Sequence, residues 1–376
     1  MRVDSAATLS DACRRWRRCG VLAVDTEFVR ERTFFPRLGL IQIADNTRIY
    51  LVDPIALDDL EPLGQILASP EIVKVFHSCG EDLEVLYHRF GELPRPLFDT
   101  QVAATVLGIG YSVGYGKLVE ALFGLSLEKG QTRTDWLRRP LTPAQEGYAA
   151  QDVEHLIPAY RRLAADLESQ NRTAWAREET ERLFDTGRFL PTPEQIYRRF
   201  RRAHTMSRRE LAALQRLCVW REREARRRDL PRNFVLPEAA LPRLAKARPR
   251  NRQQLAAIRD LRPKDRERHG GRLLALLREV AALEPEDLPP KLRPPLNLTP
   301  YKKEIDHLRQ QVGRRADELG IAPEVLATKK LVQQLVRRVV NRQNPALPEL
   351  LRGWRREVIG DALLQQIRLA LPDVTS

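Results

Sequence analysis

The stretch Val21-Leu-Ala-Val-Asp-Thr-Glu-Phe28 constrains this chain more than any other. Four apolar residues bounded by β-branched valines read as a buried strand. Asp25 and Glu27 follow two apart, so on an extended backbone both carboxylates leave the same face. Like charges at that spacing repel, and burying either is costly unless a cation compensates it. Hard oxygen donors of this kind suit Mg2+ or Mn2+. Taken alone, the stretch also fits a strand that ends in two solvated acids. The rest of the chain decides.

Three more residues bear on that choice. Asp82, in His77-Ser-Cys-Gly-Glu-Asp82, follows an expected strand and opens a helix, where it can point across the same strand edge as Asp25. Tyr148 and Asp152 are four apart and share one face of a late helix. Any helix can carry such a pair by accident, but the conjunction is more specific. Asp25, Glu27, Asp82 and Asp152 come from three elements of one α/β domain, in an order that can form one cluster. Four carboxylates can hold two divalent cations roughly 4 Å apart, the arrangement that clamps the attacking and leaving oxygens of phosphoryl transfer. Tyr148 then orients the attacking water, because a phenol with a pKa of about 10 is a poor base at neutral pH.

At 376 residues, the chain is too long for one ordinary domain. Its charge is divided unevenly: residues 1–160 carry a net −5 and the remainder +19. An acidic domain joined to a basic one suits a chemical centre tethered to a polyanion-binding region. The four cysteines form no CxxC pair, which argues against a zinc site or disulfide framework and for a reducing cytoplasm. There is neither a signal core nor an apolar run of membrane-spanning length, so a soluble cytoplasmic protein without membrane attachment is expected. No extended coiled-coil seam is visible, and a monomer is the default expectation.

In chain order, a short helix over 9–18 precedes strands over 21–28, 39–44, 48–52, 72–76 and 96–99, the second and third forming a hairpin. Helices are expected over 57–68, 81–90 and 100–107, with loops over 108–116 and 128–140. Thr142-Pro143 suits the N-cap and first turn of one long helix running towards Leu167. Strands that begin as a meander and then alternate with helices indicate a mixed sheet with flanking helices. Beyond a connecting stretch the chain is helical and basic: 206–228, 237–248, 251–260 and 271–283 are expected helices. Six prolines over 285–300 make a stiff spacer. Phe234-Val-Leu-Pro-Glu and Ile321-Ala-Pro-Glu-Val-Leu are similar and suggest a duplicated helical module. The expected division is an α/β domain over 1–185, a linker over 186–204, a helical domain over 205–286, the spacer over 287–300 and a second, diverged helical domain over 301–376.

Asp25-Thr-Glu27, His77-x4-Asp82 and Tyr148-x3-Asp152 resemble the three motifs of the DEDD exonuclease superfamily in its tyrosine subclass. Asp25 to Pro36, Leu38-Gly-Leu-Ile-Gln42, Glu81 to Val85 and Arg133-Thr-Asp-Trp136 resemble bacterial ribonuclease D, and the basic half is similar to that family's paired HRDC domains. The resemblance implies an α/β, ribonuclease H-like exonuclease domain followed by two all-α HRDC helical bundles. It implies two divalent metal ions held by Asp25, Glu27, Asp82 and Asp152, with Tyr148 positioning water. It implies 3′→5′ exoribonuclease action on tRNA precursors and other small structured RNAs, releasing nucleoside 5′-monophosphates. Phe28 is read as a stacking surface for the terminal base or as core, and His77 as a structural histidine ahead of a substrate contact. Two alternatives remain: a DNA 3′→5′ exonuclease, since carboxylates handle phosphate and not sugar, and an inactive nucleic-acid-binding module.

Overall fold

A computed structural model describes residues 1–127, 134–185, 187, 189, 192–344 and 346–371. The chain divides into two compact units. One comprises Met1–Val29, Leu38–Phe184 and Leu296–Ser376, and the other Arg30–Arg37 with Asp185–Pro295.

The first unit holds the sheet. Its strands are β1 (Arg2–Val3), β2 (Val21–Val29), β3 (Arg37–Ala44), β4 (Ile49–Val52), β5 (Val73–Phe76) and β6 (Leu97–Asp99). Their order is β1-β4-β3-β2-β5-β6, so β2 is an interior strand. Each expected strand is present, and the sheet is mixed: β3 and β4 are antiparallel, while β2–β5, β5–β6 and β1–β4 are parallel. The hairpin turn is built by Asp45, whose carboxylate accepts from the backbone N–H of Thr47 at 2.7 Å and of Arg48 at 2.9 Å. β1 has two residues, too short to show any alternation in sequence.

Eight helices flank these strands among the described residues: α1 (Ala6–Trp16), α2 (Glu61–Ala68), α3 (Gly80–Phe90), α4 (Thr100–Leu107), α5 (Tyr115–Phe123), α6 (Pro143–Glu154), α7 (Leu156–Ser169) and α8 (Thr173–Glu181). Two of them differ from expectation. α5 begins inside the stretch read as a loop, because Gly108, Gly110, Gly114 and Gly116 hide a helix start at Tyr115. The long helix over 142–167 is two helices, broken at His155 (φ −104°, ψ 4°).

The second unit contains α9 (Arg208–Arg228), α10 (Arg232–Val235), α11 (Ala240–Ala247), α12 (Arg252–Ala256) and α13 (Pro263–Ala281). Leu211, Leu214, Leu217, Leu241, Leu244, Leu273 and Val280 fill its core. Tyr197 and Ala203, from the stretch read as a linker, are buried in the same core. α13 starts a full two turns before the expected Gly271, because its first residues, Pro263 to His269, are almost all charged and show no apolar stripe. In this unit the 30–37 segment is fixed by Asp229, whose carboxylate accepts the backbone N–H groups of Phe34 and Phe35, both at 3.0 Å. The Phe34 ring lies under the guanidinium groups of Arg226 and Arg232.

The C-terminal bundle comprises α14 (Lys302–Leu319), α15 (Pro323–Leu326), α16 (Lys329–Val340) and α17 (Asp361–Ala370). It repeats the sequence long helix, four-residue helix, helix seen in α9–α11, as the suspected duplication requires. This bundle belongs to the same unit as the sheet. Trp354 stacks on Trp175 of α8 with ring centroids 4.4 Å apart, and its backbone and indole N–H groups donate to Glu178 and Glu179.

Candidate active site

β2 sets the site by alternation. Asp25 and Glu27 leave the face covered by α6, and Thr26 between them leaves the other, where α3 packs. α6 is started by a capping box: Thr142 Oγ1 accepts from Gln145 N, and Gln145 Oε1 accepts from Thr142 N. That fixes the helix register so that Asp152, ten residues on, faces β2. One carboxylate oxygen each of Asp25, Glu27 and Asp152 lies within 4.8 Å of the other two.

Asp82 stands just outside this triplet. It sits in the first turn of α3, is buried, and accepts a hydrogen bond from the Thr26 hydroxyl. The turn before it is held by Asp99, whose two carboxylate oxygens accept from Ser78 N and Cys79 N at 3.1 and 2.9 Å. One of them also caps α4 through Gln101 N and Val102 N. Thr26 and Asp99 were not singled out in the sequence. A hydroxyl between two acids and an acid ahead of a helix are common, and only the fold shows what they hold.

The electrostatics are those of a pocket short of positive charge. Burial, then the charges of Asp82, Asp152 and Glu27, raise Asp25 well above the usual carboxylate range. Burial and the charges of Asp152 and Asp82 push Glu27 up to about 8. Burial takes Asp152 to about 7 against the opposing hydrogen bond from Tyr148. Burial likewise takes Asp82 to about 6, with the Thr26 hydroxyl opposing. Among the described residues no lysine or arginine pairs with any of the four. Acidic oxygens converging without a counter-charge suit hard divalent cations, so the residues present fit the metal that the motifs imply.

Tyr148 hydrogen-bonds to Asp152, and burial together with the surrounding carboxylates raises its phenol further. Its ring lies 6.2 Å from that of Trp136, which is buried against Gly39; a Cβ on Gly39 would meet the Trp136 carbonyl at 2.7 Å. Arg133 of the Arg-Thr-Asp-Trp stretch lies outside the described residues. Phe28 follows Glu27 on β2 and is half-buried. His77 is taken up within the domain: its Nε2 donates to Val113 O at 3.0 Å, and its Nδ1 is 2.9 Å from Thr100 Oγ1.

Residues 2–168 match the 3′-5′ exonuclease family, 210–287 the HRDC domain, and 300–363 the ribonuclease D C-terminal HRDC domain. Ribonuclease D of Pseudomonas paraeruginosa is 42% identical over 366 residues, covering 97% of this chain and 96% of that protein. Ribonuclease D of Escherichia coli K12 is 37% identical over 363 residues, covering 96% and 95%. The crystal structure of Escherichia coli RNase D, described as an exoribonuclease involved in structured RNA processing, superposes with a TM-score of 0.88 at 36% identity and covers 98% of both chains.

Proposed function

This chain belongs to the ribonuclease D family and is a 3′→5′ exoribonuclease; from that premise we propose that Asp25, Glu27, Asp82 and Asp152 hold two divalent cations, Mg2+ or Mn2+, and that Tyr148 orients the hydrolytic water. The observation that carries this reading is the meeting of one carboxylate oxygen each of Asp25, Glu27 and Asp152 within 4.8 Å of one another. Bound there, divalent ions supply positive charge to the terminal phosphate and acidify water.

The protein's own groups do the rest. The Tyr148 phenol donates to Asp152, which leaves its oxygen lone pairs to accept a hydrogen bond from water. Its raised pKa keeps it protonated, so it positions the water and does not abstract the proton. Attack on phosphorus breaks the bond to the 3′ oxygen. A nucleoside 5′-monophosphate leaves, and the shortened RNA keeps a 3′ hydroxyl. Phe28, beside Glu27, offers a sequence-tolerant surface for the departing base.

The substrates are tRNA precursors with 3′ extensions and other small structured RNAs. The net +19 of residues 161–376 supports engagement of the RNA body, and binding then weakens steeply with salt. The chain works as a monomer in the cytoplasm, a reducing compartment with which its four free thiols are compatible; no described helix is long and apolar enough to cross a membrane. The test is digestion of one 3′-extended tRNA precursor, labelled at its 3′ end in one sample and its 5′ end in another. Early release of labelled mononucleotide from the first and a shrinking ladder from the second are expected. Internal fragments, or faster digestion of the matching DNA, would overturn the reading.

A further inference from the structure

α5 meets the seam between α6 and α7 at two points. At its first residue, Tyr115, the phenol oxygen accepts the backbone N–H of His155 at 3.0 Å. At its last, the Phe123 ring lies 6.2 Å from the His155 imidazole. His155 ends α6 and starts α7, has no side-chain cap of its own, and follows Asp152 by three residues. The direction in which α6 delivers Asp152 therefore depends on what holds this seam.

Tyr115 is itself held. Two residues before it, the Val113 carbonyl accepts from His77 Nε2 at 3.0 Å and from Gln101 Nε2 at 2.9 Å. Both lone pairs of that carbonyl are used, by donors from the end of β5 and the first turn of α4. The His77 ring also lies 5.6 Å from the Tyr115 ring, and Tyr115 packs on the cluster of Ala23, Val75, Val153 and Leu156. A continuous path thus runs from the sheet that carries Asp25, through His77, Val113 and Tyr115, to the His155 amide, three residues past Asp152.

We propose that His77, Gln101 and Tyr115 form a clamp that positions Asp152 by fixing the α6–α7 seam. Tyr115 is a positioning residue, acting through the His155 backbone. His77, whose ring nitrogens both face protein groups, belongs to this clamp instead of to the substrate. The proposal rests on Asp152 as a metal ligand, as argued above. Its consequence is that metal affinity falls when the phenol hydroxyl is removed, although Tyr115 contacts no metal.

The experiment is Mn2+ titration of the full-length chain by calorimetry, comparing wild type, Tyr115→Phe, Gln101→Met and Asp152→Asn, with melting temperature and KM for RNA measured in parallel. Removing a partner that orients a ligand costs about tenfold or more in metal affinity. Tyr115→Phe is expected to bind Mn2+ about tenfold more weakly, to recover its rate at high Mn2+, and to keep its KM. Gln101→Met, which leaves the carbonyl one donor, is expected to shift in the same direction by less. A Tyr115→Phe variant that melts earlier but binds Mn2+ as wild type does would overturn the clamp and leave a merely structural hydroxyl. Unchanged Mn2+ binding in Asp152→Asn would instead overturn the ligand assignment beneath it. Circular dichroism of each variant keeps a misfolded protein from being read as either result.

Discussion

Two anionic centres of the same sheet behave in opposite ways. At the β3–β4 turn, Asp45 is buried, yet it accepts from Arg15, from the backbone of Thr47 and Arg48, and from the hydroxyls of Thr47 and Tyr50. Burial alone would raise it; these donors outweigh burial and hold it at about 2. In the pocket between β2 and α6, burial and the charges of Asp152 and Asp82 hold Glu27 at about 8, and burial holds Asp152 at about 7 against the Tyr148 hydrogen bond, with no described lysine or arginine paired to either. A buried carboxylate that brings its own donors is structural. One whose charge no described side chain answers is suited to a bound cation.

The contrast breaks most visibly by substitution inside the open centre. Asp25→Asn or Asp152→Asn is expected to lower kcat by about three orders of magnitude or more, the worth of several kcal/mol of charge stabilisation. RNA retention in a filter assay should persist. Hydrolysis surviving in both variants would remove the site assignment, whereas intact 3′-extended RNA with the wild-type protein and either metal would favour an inactive binding module. Second in size is the response to metal. Mn2+ at a hundred times its dissociation constant should add about 2.7 kcal/mol of stability, seen as a higher melting temperature, and the Asp25→Asn protein should lose most of that gain.

The satisfied centre predicts a different pattern. Asp45 has a folded pKa near 2, below its unfolded value of about 3.9, so its contribution is present above the unfolded value and is lost as pH falls through about 2. Asp45→Asn should cost about 2 kcal/mol at neutral pH, with the deficit closing between about pH 4 and 2, and leave kcat unchanged. Denaturant melts across that pH range read the effect directly; a deficit that persists undiminished at pH 2 would contradict it. The smallest effect joins the two centres' logic. Thr26→Val removes one donor from Asp82, worth about 1 kcal/mol, and should slow hydrolysis about fivefold.

Much of this was legible in the residues because it is local. Alternation on β2 puts Asp25 and Glu27 on one face, and the Thr142-Pro143 start fixes α6, whatever the tertiary context. The five longer strands also announced themselves by periodicity. What stayed hidden depends on partners far away in the chain. The break at His155 is marked locally by Pro158, which cannot bond back to the Glu154 carbonyl, but the phenol forty residues earlier that accepts the His155 amide has no local signal. Asp99 and Thr26 act through groups 20 to 56 positions away, and their types are unremarkable where they stand. Gly39 matters only because Trp136 comes to rest on it.

The attachment of the last bundle reorders the chain in a practical sense. Its indole stack with Trp175, and the Arg172 hydrogen bond at 2.6 Å to Leu319 O, tie the tail to the body that bears the reactive pocket. The segment between residues 185 and 295 is therefore the excursion, and the tail is the return. Two separately expressed pieces, one ending near 184 and one beginning near 296, carry complementary halves of a single seam, as in a split reporter. A tail-less fragment keeps every acid of the pocket but leaves a tryptophan face bare, which makes it a poor stand-in for the whole.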